Sequence, residues 1–292
     1  MRKIQLSKVI IYIILFILTL TVLIPVLNLL AMSLSDPLQV HKLKGLDIFP
    51  KGFSLINYQL LLSNPLVSKS IWNSVYVTVV GTVLNLVLTS MAAYVLARTQ
   101  FIGKQLIVIF LIIIMVFEPG LIPEYLLIKD LGLLNNYTSL ILYKAVNVFY
   151  LFILMRFFNE LPEDLIEAAR IDGAGHFKIY YKIVVPLNVP AMATLGLFYG
   201  VYRWNEYFRA MIYMSSPTKW PLQVVLRQFV ISDDHTAILG VQKMLSYDEV
   251  ASLDFGSLQA GTIIIAMVPL LFLYPFILKY YTKGALDGGV KD

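Results

Sequence analysis

Apolar positions dominate this chain and run on in long blocks. Four stretches carry no charge and are long enough to cross a hydrocarbon layer, which takes about 20 residues of helix: 9–35, 70–97, 183–202 and 255–278. Two further blocks are interrupted. One starts near Gln105 and meets Glu118, Pro119, Gly120 and Pro123; the other runs from about Thr138 to Phe158 and contains Lys144. The pattern predicts an all-α integral membrane protein with six transmembrane helices. The first block could be read as a signal peptide, since Lys8 precedes it and Ala31, Met32 and Ser33 offer a cleavage site. It exceeds the 7–15 residues of such a core, so a retained helix is expected.

Composition supports this. The 292 residues are 59% hydrophobic and 14% charged, against about 25% charged in a soluble domain. Cysteine is absent, which excludes disulfides, thiolate metal sites and a cysteine nucleophile. The net charge of +5 does not signal nucleic acid, because the basic residues sit at the ends of apolar blocks. With the N-terminus inside, the inner segments 1–8, 97–105, 156–186 and 279–292 hold twelve Lys and Arg in 62 positions. The outer segments 34–70, 118–140 and 214–257 hold eight in 104. The positive-inside rule then places both termini and the 156–186 segment in the cytoplasm. No fixed-period repeat and no low-complexity stretch is present, so 1–292 reads as a single transmembrane domain.

The cytoplasmic segment 159–186 carries the most specific pattern. Pro162 suits a helix start, and Glu163 and Asp164 follow where the helix dipole favours anions. Glu167 and Arg170 form an i,i+3 pair, and Gly173 suits a helix C-terminus. A second short helix sets Phe177, Tyr180 and Tyr181 on one side and Lys178 and Lys182 on another, before Pro186 opens the fifth span. Such an amphipathic element calls for a protein partner or the membrane surface.

Glu167, Ala168, Ala169, Gly173, Ile183 and Pro186 stand at the spacing of the EAA loop, with Val185 where leucine is usual. The segment therefore resembles the signature loop of ATP-binding-cassette importer permeases. Trp204–Asn205–Glu206–Tyr207 and the tail KYYTKGALDGGVKD are similar to carbohydrate-uptake permeases related to the smaller permease of the maltose transporter. Within them the oligosaccharide and polysaccharide-fragment branch is nearest. The resemblance implies a type I ABC importer permease fold in a bacterial inner or plasma membrane. Here the EAA loop seats on an ATPase subunit: Glu167 holds a basic group there, and the small Ala168 and Ala169 permit close approach. The tail, 279–292, would insert between the ATPases through Gly288, Gly289, Val290 and Lys291; a solvated terminus is the competing reading.

The resemblance also implies the partners. Six helices form half a pore, so a second permease, usually a different chain, completes it. Two ATPases supply energy, because this chain has no GxxxxGK[ST] phosphate loop; ATP and magnesium belong to them, and no cofactor is expected here. A solute-binding protein would dock on the outer loop 214–257, which carries Asp233, Asp234, Asp248 and Glu249. Membrane lipid and an oligosaccharide complete the set, with no nucleic acid.

Polar residues inside spans are the candidates for a substrate pathway. Lys144 lies about 9 Å into its span at 1.5 Å per residue, within snorkelling reach of the outer interface. Asn147 is one turn deeper. Trp204 falls about 26 Å along a helix from Leu187, near the outer surface, suited to an aromatic belt or an outer gate; Asn205 and Glu206 follow it. Tyr199 and Tyr202 lie deeper and could stack on sugars or pack. Arg203 and Arg209 are expected at the rim, and Glu118 at the interface. With so few cations, an uncharged or weakly acidic oligosaccharide is expected to cross by alternating access. Rival readings are a non-sugar ABC permease, an ion-coupled transporter, which would call for intramembrane carboxylates, and a membrane enzyme. His41, His176 and His235 are scattered and carry no HExxH pattern.

Overall fold

A computed structural model describes residues 6–231 and 254–287, with the side chains of 8–231 and 254–275. The acidic residues of the 214–257 loop and the tail residues Gly288–Lys291 lie outside the described residues. The described chain is helical, with one isolated antiparallel bridge between Ser35 and Phe53. Three helices are long and apolar enough to cross a membrane unaided: α1 (Leu6–Ser33), α3 (Pro65–Arg98) and, after α2 (Ile56–Ser63), the C-terminal α14 (Phe255–Asp287).

The remaining apolar blocks are broken. Helices α4 (Lys104–Val116) and α5 (Leu121–Asp130) meet at 115°. Pro119 lacks an N–H and drives Glu118 out of the helical region. The fourth block divides into α6 (Tyr137–Leu142) and α7 (Val148–Asn159). After the loop helix α8 (Glu163–Ile171), the fifth block begins as α9 (His176–Ile179), a π-helical turn at Tyr180–Val184 and α10 (Val185–Leu187). It then bends by 81° into α11 (Val189–Asn205). Pro186 and Pro190, four apart, remove consecutive rungs of the hydrogen-bond ladder. At the bend the buried Asn188 donates both its backbone N–H and its side-chain amide to the Val184 carbonyl, at 3.2 and 2.8 Å. The expected straight fifth span is therefore kinked. Short helices α12 (Phe208–Tyr213) and α13 (Leu222–Val230) follow. Among the described residues the three long helices and the two bent pairs give up to five spans, and α7 is a further, shorter apolar helix.

The chain divides into two compact units, Met1–Ser70 with Val224–Pro269, and Ile71–Gln223 with Leu270–Asp292. The first is held by a polar knot among apolar neighbours. The Asn57 amide donates to the Ser33 and Ser35 carbonyls at 3.0 and 3.2 Å and accepts from Ser257 Oγ at 3.2 Å, all three residues being buried. Asn28 ties the loop above by donating to the Lys44 and Asp47 carbonyls. There the Lys44 N–H holds the Asp47 carboxyl below its ordinary range. Leu61, Leu258, Val225 and Phe229 fill the apolar part. In the second unit, α4 packs on α7 and α7 on α11. A core of Tyr94, Leu96, Leu151, Leu154, Phe158 and Leu195 reaches into the 163–184 loop through Ile166, Ile179 and Val184.

Candidate functional site: the loop surface and a pinned helix break

Two sites emerge, both in the second unit. The first is the outward surface of the 163–186 loop. Pro162 caps α8 from just outside rather than occupying its first turn. The helix ends in a Schellman pair: the Ala174 N–H reaches the Ala169 carbonyl at 2.9 Å, and the Gly173 N–H reaches Arg170 at 3.0 Å. Gly173 takes φ 76°, a left-handed conformation that a side chain resists. Buried Ile166, Ile179 and Val184 bind the loop to the bundle end. Arg98 adds two bonds, donating to the Phe158 and Leu161 carbonyls. Tyr94 adds ring contact with Tyr180 at 5.4 Å and a hydroxyl contact with His176 Nδ1 at 3.2 Å.

The opposite face is bare. Glu167, Ala168, Gly173 and Pro186 are exposed, while Ala169 and Ile183 are half-buried. Ile171 is 86% exposed and Phe177 70%, apolar area that a solvated loop has no reason to display. The spacing motif brings Glu167 and Gly173 to this face, and it misses Leu165 and Ile171, whose exposure depends on which side of α8 Ile166 anchors. The loop is thus rigid on the bundle side and open on the other.

The second site is the α6–α7 break. Arg203 of α11 is 4% exposed. Its guanidinium donates to the carbonyls of Leu140, Ile141 (2.9 Å) and Tyr143 (2.6 Å) and to Asn85 Oδ1 at 3.2 Å. These are the carbonyls left orphaned where α6 stops. A Cβ on Gly81 would stand 3.2 Å from Arg203 Nε, so glycine there makes room for the guanidinium against α3. Arg203 is therefore an internal strut between α3, α6 and α11.

Around this strut the other candidates fall into two groups. Tyr199 and Trp204 are buried, at 1% and 5% exposure. The Tyr199 hydroxyl accepts from the Asn147 N–H at 2.9 Å and bonds Thr89 Oγ1 at 2.8 Å, and its ring stands edge-on to Tyr150 at 4.9 Å. This is packing, not a stacking platform, and buried Trp204 is no lipid-facing belt residue. Asn147 spends its side-chain oxygen capping α7, accepting from the Tyr150 N–H at 3.2 Å. Asn205 is exposed and bonds back to the Val201 carbonyl. Tyr202 is half-buried, with the Arg203 guanidinium 5.9 Å from its ring centre. Glu206 accepts from the Arg209 N–H at 3.0 Å. The Arg209 guanidinium pairs with Glu124 at 3.5 Å and Glu206 at 3.7 Å and lies 4.3 Å over the Tyr143 ring. Lys144 pairs with Glu118 at 2.6 Å. On α3, the buried Thr78 Oγ1, Thr82 Oγ1 and Asn85 Nδ2 have no protein hydrogen-bond partner and lie at helical spacing on one face. Among the described residues no group of His, Asp and Glu converges for a metal ion.

An anchored loop with a bare face, beside a bundle with a polar interior and broken spans, is the build of a transport subunit. Comparison with known proteins decides which. The family model described as the binding-protein-dependent transport system inner membrane component matches residues 105–285. The chain belongs to this family. It is an ABC importer permease, a multi-pass membrane protein that works with a binding protein and partner subunits, and a transport subunit rather than an enzyme. It is 39% identical to the polygalacturonan/rhamnogalacturonan transport system permease protein of Bacillus subtilis, over 99% of both chains. It is 33% identical to the arabinooligosaccharides transport system permease protein of Halalkalibacterium halodurans, over 75% of this chain and 72% of that one. Among solved structures it matches a chain of a bacterial ABC transporter involved in the import of the acidic polysaccharide alginate. The TM-score is 0.86 at 30% identity, covering 96% of the permease and 98% of that chain. The expected type I permease fold and the carbohydrate-family resemblance agree with these matches.

Proposed function

We propose that this permease forms half of the pathway by which an oligosaccharide, a fragment of a larger polysaccharide, enters a bacterial cell. The observation that carries the reading is the full-length match, in sequence and in fold, to permeases of polysaccharide-fragment importers. The chain sits in the plasma membrane with both termini and the 159–186 loop in the cytoplasm, and a second permease completes the pore. Two ATPase subunits bind ATP and magnesium and close on nucleotide. The bare loop face, with Glu167, Ala168, Ala169 and Gly173, seats on one of them, and Ile183 and Pro186 join it to the fifth span. Because Ile166, Ile179 and Val184 are buried in the bundle end, movement of the loop carries the helices with it. The pathway then opens alternately to either side about a site within the membrane. The tail residues Gly288–Lys291 reach the ATPase interface, and the outer loop 214–257 meets the binding protein. Lys144, Asn147, Tyr202, Asn205 and Glu206 border the pathway, while Tyr199 and Trp204 support it from behind.

Deleting the gene in its host and measuring uptake of labelled oligosaccharides tests this. Loss of oligosaccharide uptake, restored by the wild-type gene, is the expected result. Binding-protein-dependent uptake of amino acids or phosphate through this permease, with no sugar taken up, would overturn the substrate class.

A further inference from the structure

Three cations stand at the helix breaks of the second unit, and two are held on several sides. Arg203 is buried and bonded to three carbonyls and Asn85. Arg209 is held by two carboxylates and the face of Tyr143. Lys144 differs. Its one ion pair among the described residues is to Glu118 at 2.6 Å, and neither side chain is buried within this chain, at 38% and 63% exposure.

The backbone at Lys144 is also unusual. It takes φ 46°, and Asn135 is the only other non-glycine residue with positive φ among the described residues. Asn135 has the short polar side chain that tolerates this region, and it is fixed by bonds to Ser216, Tyr213 and Lys219. Lys144 has no such excuse. Its left-handed turn is set in the gap between α6 and α7, and its ammonium lies 5.8 Å from the centre of the Tyr143 ring as well as beside Glu118. Unexplained backbone strain of this kind gathers at ligand clamps and switches.

The counter-ion fits the same reading. Glu118 lies in the gap between α4 and α5, off any regular helix. An exposed lysine–carboxylate pair adds little to stability and is readily broken. A sugar carboxylate carries the same charge and acceptor oxygens as that of Glu118, so exchanging one for the other leaves no cation unpaired, and Glu118 is not buried within this chain. We infer that Lys144 is the residue of this half-pathway that contacts the carboxylate of a uronate-bearing oligosaccharide, and that Glu118 is the internal stand-in the substrate displaces. This rests on the oligosaccharide reading above and narrows it to acidic sugars. One exchangeable cation also suits a pathway that must release its cargo as well as accept it.

The test compares tetragalacturonate with its fully methyl-esterified form, which keeps the sugar skeleton and loses the charge. Uptake is measured in the native host carrying chromosomal variants, so binding protein and partner subunits stay unchanged. Lys144→Gln is expected to cut tetragalacturonate uptake at sub-saturating concentration by about tenfold or more, the scale of one lost charge-assisted hydrogen bond. It should leave uptake of the ester within about twofold, a change under half that scale in free energy. Glu118→Gln frees Lys144 and is expected to preserve or raise tetragalacturonate uptake. A merely structural ion pair would make the two variants equally damaging to both probes, and that result overturns the inference. A wild-type host that takes up neutral oligosaccharides but neither probe overturns it too, leaving the oligosaccharide reading intact. A permease that takes up no oligosaccharide at all fails at the earlier step.

Discussion

Arg203 shows what a single residue does for a broken span. Backbone carbonyls at membrane depth need partners, because lipid offers none. The gap between α6 and α7 frees several, and one guanidinium collects three of them while Asn85 steadies it from α3. Replacing Arg203 with leucine would strand those groups. At about 1–3 kcal/mol for each buried polar group left unpaired, the permease should lose about 3 kcal/mol or more. The expected outcome is a lower melting temperature of the purified protein in detergent, with Arg203→Lys falling between the two. An unchanged melting temperature for Arg203→Leu would mean the break is held by other means. This residue was half legible in the sequence. An arginine beside a long apolar block is conspicuous, but its carbonyl partners belong to a break that hydropathy does not record. For Tyr199 the sequence leaves stacking and packing both open, and for Trp204 a belt or a gate, because aromatic side chains near a span end look alike whether they face lipid or core. Glu167 and Gly173 were legible because their roles follow from local spacing alone.

At the scale of elements, the breaks divide by cause. The α4–α5 break could be read from Pro119, and the three long apolar helices from their length. The kink at Asn188 had a visible cause in Pro186 and Pro190, although Pro186 alone reads as a helix start. The α6–α7 break had almost no local signal, since residues 143–146 contain neither proline nor glycine; it is imposed by tertiary contacts through Arg203. The 163–186 loop is the opposite case, where caps and turn residues write the structure into the sequence. Its Gly173 permits a separation of two effects. No atom outside its own chain neighbours lies within 4 Å of where a Cβ would be, so inside this chain a side chain there meets only the strain of φ 76°. Asparagine tolerates that conformation best among residues with a Cβ. Gly173→Asn should therefore fold and insert normally. On the proposed seating against an ATPase it should nonetheless lose transport, with binding protein no longer stimulating ATP hydrolysis, and Glu167→Lys should do the same by reversing charge. Full uptake by both variants would remove the loop from the coupling path.

For the whole molecule the expected direction follows from charge: basic residues are more than twice as dense in the segments assigned inside, and the positive-inside bias acts on short loops such as these. On the six-span reading the loop 163–186 and the loop around Leu46 are then expected on opposite sides, since one span, α1, separates the N-terminus from Leu46 and four in all separate it from residue 175. The absence of native cysteine makes this directly measurable, because any single cysteine is the only thiol in the chain. Leu46 is 79% exposed and Gly175 is exposed, so a thiol at either place is open to reagent. In intact cells or spheroplasts, Leu46→Cys should react with a membrane-impermeant maleimide, while Gly175→Cys should stay unlabelled until the membrane is permeabilised. The reverse pattern would put the bare loop face outside, beyond reach of any cytoplasmic ATPase. The coupling proposal would then fail with it, even though the family assignment, which depends on neither label, would stand.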